Sequence, residues 1–189
     1  MYVFFDTETT GLPRRWKAPV TDVENWPRMV QIAWLSYDEA GEKIGEESFV
    51  IKPEGYTIPA DAARIHGITT EQAMKEGADL ASVLGKFRDA VRYAGTIVAH
   101  NLSFDEMIVG AEFVRKAIAH DMHAKKKICT MEGSKEYCAL PGQYGYKWPR
   151  LSELHQKLFG ENFSEAHTAE NDIKATARCF WELRRLGVL

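Results

Sequence analysis

A chain of 189 residues, 45% hydrophobic and 27% charged, can close one α/β domain over its whole length, 1–189, and lies far from a disordered composition. Its formal net charge of −3 argues against a protein that coats nucleic acid through bulk positive charge, so contact with phosphate has to be supplied locally. Three cysteines without a C-x-x-C pair point to neither a disulfide framework nor a zinc site, and the absence of a basic leader or membrane-length apolar run predicts a cytoplasmic protein with no membrane partner.

In chain order, the apolar run Tyr2–Phe5 reads as a strand that opens directly onto Asp6-Thr7-Glu8-Thr9-Thr10-Gly11. Residues 13–27 carry Pro13, Pro19 and Pro27 around Arg14, Arg15, Trp16, Lys17 and Trp26, and predict a long loop of the kind that is functional or mobile. Met29–Tyr37 and Glu47–Ile51 read as two further strands joined by the turn residues 38–43, an antiparallel meander. Short helices are expected at Pro59–His66 and Thr70–Met74, and a longer one through Leu80, Leu84, Phe87 and Val91, stopped at Gly95. Thr96–Ala99 predicts a buried strand, followed by a helix with Ser103 at its N-cap and Glu106 completing a capping box, which puts Asp105 in the first turn. A short strand at Lys127–Thr130 and helices near 131–138, 151–159 and 168–186 complete a mixed sheet flanked by helices.

Three groups could carry chemistry. Asp6 and Glu8, two apart on an extended chain, point to the same side and would repel unless a cation sits between them; a solvated loop tip is the alternative. Asp105 suits a site at the end of a strand, although a helix's first turn favours a carboxylate by its dipole alone. His167 precedes Asp172 by five residues, with Thr168 as a helix cap between them; Asp172 lies near the apolar face formed by Ile173, Ala177 and Phe180, where a carboxylate has to be paired or metal-bound. A histidine titrates near neutrality and can take a proton from a polarised water, although a surface position accounts for it equally well.

Phe5-Asp6-Thr7-Glu8-Thr9-Thr10-Gly11-Leu12, then His100-Asn101-Leu102-Ser103-Phe104-Asp105, then His167-x-x-x-x-Asp172, together resemble the motifs of the DEDDh 3′–5′ exonucleases. Ile65-His66-Gly67-Ile68-Thr69 is similar to a segment of the polymerase-proofreading branch of that family. The resemblance implies a ribonuclease H-like fold, a five-stranded mixed sheet whose first three strands are antiparallel. It implies two divalent cations, Mg²⁺ or Mn²⁺, about 4 Å apart, with Asp6 bridging them, Glu8 and Asp172 on the water-activating ion and Asp105 supporting the second. His167 would be the general base. Thr9, Thr10, Gly11 and Leu12 would receive the terminal nucleotide, Leu12 as a wedge, with His66, Asn101 and Phe104 in the same site. The implied partner is a single-stranded 3′ end, DNA favoured, with polymerase association or a homodimer also open. An exoribonuclease keeps the same five residues, and a non-catalytic nucleic-acid-binding module is the rival of another class. Arg14, Arg15 and Lys17, Lys125–Lys127, and Lys147 with Arg150 could guide the upstream strand. Tyr144, Tyr146 and Trp148, after Pro141-Gly142, are expected to pack against the domain, with a nucleic-acid platform as the alternative.

Overall fold

The computed structural model describes residues 1–161 and 168–189. Its main sheet has five strands in the order β3-β2-β1-β4-β5: β1 (Tyr2–Thr9), β2 (Met29–Tyr37), β3 (Lys43–Val50), β4 (Thr96–Ala99) and β5 (Lys126–Cys129). The pairs β1·β2 and β2·β3 are antiparallel, and β1·β4 and β4·β5 are parallel. The helices are α1 (Ala60–His66), α2 (Thr70–Glu76), α3 (Leu80–Tyr93), α4 (Leu102–Arg115), α5 (Thr130–Gly133), α6 (Lys135–Cys138), α7 (Leu151–Phe159) and α8 (Ala169–Arg185). A small hairpin, β6 (Pro141–Gly142) with β7 (Gly145–Tyr146), stands apart from the main sheet. Among the described residues no helix is long and apolar enough to cross a membrane.

The centre of the sheet is buried on both faces, which is why β1 and β2 read as continuous apolar runs rather than alternating ones. Alternation along β1 sends Phe4 to α8, where it meets Phe180 with ring centroids 5.0 Å apart. Phe5 turns to the other face and meets Phe87 of α3 at 5.3 Å. The same alternation sorts the residues that follow. Asp6 and Glu8 share the α8 face with Phe4, and Thr7 shares the opposite face with Phe5.

Several sequence expectations need correction. The first strand runs on to Thr9 instead of stopping at Phe5, because Asp6, Thr7 and Glu8 pair with Ala33, Ile32 and Gln31 of β2. The third begins at Lys43, since its charged residues occupy an exposed sheet edge that needs no apolar pattern. Ser103 is not a cap. Asn101 takes the N-cap of α4 in a left-handed conformation (φ 74°, ψ 44°) without a side-chain cap bond. The chain must turn sharply there to leave β4, and asparagine tolerates that conformation. Tyr144, Tyr146 and Trp148 are exposed and do not pack against the domain.

Residues 13–27 form an irregular segment, but it is held firmly along α4. The Arg115 guanidinium donates to the carbonyls of Val23 and Trp26 and pairs with the fully buried Glu112, as does Arg28. Glu112 also accepts from the Met29 amide at 3.0 Å, so one carboxylate ties the segment's exit to the start of β2. Midway, Val20 lies so close to Gly110 of α4 that a Cβ there would stand 2.8 Å from it. Trp26 is buried in the core.

Candidate active site

β1 is longer than its parallel neighbour: β4 pairs with Tyr2, Val3 and Phe4 only. Beyond Phe4 the β4-side edge of β1 is open, and Asp105 from the first turn of α4 takes it. Its Oδ1 accepts from the Thr7 amide at 3.1 Å and from the Thr7 hydroxyl at 2.7 Å. Asp105 is buried. Burial pushes its carboxyl up to about 7, the two Thr7 bonds act against that shift, and Asp172 adds to it.

On the α8 face, Asp6, Glu8 and Asp172 each offer a carboxylate oxygen, and these oxygens lie within 4.8 Å of one another. Burial, with Asp105, Asp172 and Glu8 around it, holds the Asp6 carboxyl far above the usual carboxylate range. Burial and then Asp172 and Asp105 push Glu8 up to about 8. Acidic oxygens gathered at this separation are costly unless protonated or bridged by a cation. Hard oxygen donors suit Mg²⁺ or Mn²⁺, so the residues fit the implied ions. The sequence-predicted acidic set thus meets in space, with Asp105 engaged by Thr7 rather than within the close trio. His167 lies outside the described residues.

Two residues that sequence reading passed over position this set. Gln31 stands opposite Glu8 in the β1·β2 register. Its side-chain oxygen accepts from the Ala169 amide at 3.2 Å, and its amide nitrogen donates to Ser48. It therefore satisfies one of the orphan donors at the start of α8 and fixes that helix against β2, while Thr168 caps it by accepting from Asn171. A glutamine inside the apolar run Met-Val-Gln-Ile-Ala-Trp was the available signal. Thr7 is the other, its hydroxyl being committed to Asp105. Thr7→Val keeps the side chain's shape and removes that bond; it is expected to destabilise the fold by about 1–3 kcal/mol and to weaken the cluster's affinity for Mn²⁺ by roughly tenfold or more, as loss of a group that orients a ligating carboxylate does. Urea denaturation and Mn²⁺ titration check both.

Beside the carboxylates a cavity of about 490 Å³ is lined by Thr7–Leu12, Pro59, Asp61, Ala62, Ile65, His66 and Phe104. It brings together Thr9, Thr10, Gly11, Leu12, His66 and Phe104 of the expected substrate residues. Asn101 does not line it; its place is the α4 cap. Thr9 and Gly11 shape the rim: the Thr9 hydroxyl donates to the Gly11 carbonyl at 2.7 Å, and Gly11 has φ +147°, a region open to glycine. Leu12 is 71% exposed, far from a packing residue. His66 is buried, its Nδ1 accepting from the Ile68 amide at 3.1 Å. Burial lowers its imidazole below the ordinary range, with the Thr9 backbone acting against that shift, and its Nε2 is buried without a hydrogen-bond partner.

His100 is a strut. Its Nδ1 meets the Thr130 hydroxyl at 3.0 Å and its Nε2 the Pro149 carbonyl at 3.1 Å, and burial drives it down to about 4. Half of the cations expected to guide a strand are engaged: Arg15 pairs with Asp22, Lys125 with Asp121, Lys127 with Glu106 and Lys147 with Glu153. Arg14 and Lys17 are exposed.

The sequence and the fold both have known relatives. The chain is 31% identical over 179 residues to the PolC-type DNA polymerase III of Streptococcus pneumoniae, covering 94% of this chain and 11% of that protein. It is 28% identical over 189 residues to a DNA polymerase III subunit epsilon-like protein of Rhodobacter capsulatus, covering 96% and 23% respectively. E. coli exonuclease I in complex with a dA16 oligonucleotide shares the fold, with a TM-score of 0.75 at 23% identity, covering 97% of this chain and 40% of that one. The chain thus spans about a tenth of the PolC-type relatives and two-fifths of the exonuclease I chain. The profile of the RNase T exonuclease family matches residues 3–180, and the chain belongs to that family, as a DEDD-type exonuclease domain.

Proposed function

We propose that this domain removes nucleotides one at a time from the 3′ end of a nucleic acid, single-stranded DNA favoured, and releases 5′-mononucleotides. The observation that carries the reading is the convergence of Asp6, Glu8 and Asp172 from two elements onto one point, with oxygens within 4.8 Å. Mg²⁺ or Mn²⁺ would be held by these three, Asp6 shared between two ions and Asp105 supporting the second. When bound, the cations supply positive charge to the scissile phosphate and acidity to a water. The chain's own residues do the rest. Leu12 and Phe104 orient the terminal base in the adjoining cavity, and the Thr9–Leu12 backbone holds its sugar and phosphate. His167 is proposed to accept the proton of the attacking water. DNA is favoured because the relatives include DNA polymerases and the similar solved structure holds an oligodeoxynucleotide. Degradation rates on matched DNA and RNA oligomers, single-stranded and duplex, test the substrate: faster shortening of the RNA would overturn the DNA assignment.

A further inference from the structure

The 13–27 segment lies outside the motifs, yet the structure builds it as a rigid part of the site. Its exit is fastened by Arg115 and Glu112, its middle by Val20 against Gly110, and near its start the Arg15 amide donates to the Asn25 side chain at 2.8 Å. A segment held at three points can present a side chain in a fixed place. What it presents is Trp16, which is 58% exposed. The ring lies against Phe104, centroids 5.9 Å apart, and Phe104 is a wall of the cavity beside the carboxylates. Trp16 itself is outside that cavity, one aromatic ring beyond its wall. Leu12, four residues earlier, borders both this cavity and a second one of about 500 Å³ lined by Arg14, Trp26, Arg28, Tyr56 and Arg115. Among the described residues Arg14 enters no ion pair.

An exposed tryptophan loses hydration only if something covers it, and in a nuclease domain the cover of matching chemistry is a nucleobase. Base stacking on an aromatic face tolerates any sequence, as a general trimming enzyme requires. We infer that Trp16, with Arg14 two residues before it in the chain, is a stacking platform for the nucleobase just upstream of the terminal nucleotide, and that the 13–27 segment serves to hold this platform. The inference rests on the exonuclease reading and deepens it. Leu12 divides the terminal base from the next one; Trp16 receives the next base and Arg14 meets its phosphate. Trp16 therefore sets affinity for a polymer and takes no part in the hydrolysis itself.

Two substrates separate these roles. The p-nitrophenyl ester of thymidine 5′-monophosphate has no upstream nucleotide, whereas a single-stranded thymidine oligomer has many. With Mn²⁺, Trp16→Ala is expected to raise the oligomer's KM by roughly tenfold or more, given the usual worth of one stacked base. Its kcat and its hydrolysis of the ester should stay unchanged, and Trp16→Phe should retain most of the wild-type KM. An unchanged oligomer KM in Trp16→Ala would overturn the platform. So would equal losses on both substrates, which would make Trp16 a prop for Phe104. A wild-type protein inactive on ester and oligomer alike would overturn the exonuclease reading itself, and the platform with it.

Discussion

Asp6→Asn is expected to lower hydrolysis of a 3′ end by at least about a thousandfold, equivalent to roughly 4 kcal/mol of transition-state stabilisation, while making the metal-free protein more stable. Both effects have one cause. Asp6 is the residue surrounded by the other carboxylates, with Asp105, Asp172 and Glu8 all raising its proton affinity on top of burial. Asparagine keeps the shape and removes the charge. It relieves the repulsion that the metal-free fold tolerates, and it removes the proposed shared ligand of the two cations. A melting temperature that rises by a few degrees in chelator, together with lost turnover in Mg²⁺, is the expected pair; at this chain length about 2–4 °C corresponds to each kcal/mol. Full activity in Asp6→Asn would remove it from the metal set, and a lower melting temperature in chelator would mean that its charge is compensated in the fold.

The second expectation concerns pH. Glu8 rises from an ordinary 4.5 to about 8 and Asp105 from 3.8 to about 7. Both folded values exceed the unfolded ones, so the metal-free fold binds more protons than the unfolded chain between these limits. Its stability is full below about pH 4 and is lost as pH rises through 7 to 8. A divalent cation reverses the trend, because it binds the deprotonated form and competes with the protons. The melting temperature in chelator should therefore fall between pH 6 and pH 8.5, while the increment produced by Mn²⁺ should grow over the same range. At a hundredfold excess over Kd the increment is about 2.7 kcal/mol, or roughly 5–10 °C for a chain of this size. Differential scanning fluorimetry at three pH values reads both slopes. A cation increment that does not depend on pH would mean that these carboxyls do not hold the metal.

The sequence carried the acidic set because each member sits beside a local marker: Asp6 and Glu8 at the end of an apolar run, Asp105 after a buried strand, Asp172 beside an apolar helix face. It also carried the antiparallel meander of the first three strands and a mixed sheet flanked by helices, since the apolar runs are continuous and the turn between β2 and β3 is polar. What it could not carry depends on contacts between distant residues. The Gln31 oxygen reaches Ala169 across 138 positions and the Thr7 hydroxyl reaches Asp105 across 98; neither partner announces itself locally. Ser103 and Glu106 imitate a capping box, yet the turn out of β4 places the cap at Asn101. The 13–27 segment has prolines and charges that read as a long loop, functional or mobile, and only Gly110, Glu112 and Arg115 of α4 show what holds it. Aromatic residues at 144–148 read as packing residues, yet Tyr144 and Tyr146 on the small hairpin and Trp148 just after it are exposed.

The measurement that tests the central claim most directly follows a 5′-labelled single-stranded oligodeoxynucleotide over time with the purified protein and Mg²⁺ or Mn²⁺, with and without a chelator. The account predicts a ladder that descends one nucleotide at a time from the 3′ end, 5′-mononucleotide as the product, and no shortening once the cation is removed. Intact oligomer in the presence of either cation, internal cleavage, or shortening that persists in chelator would contradict it.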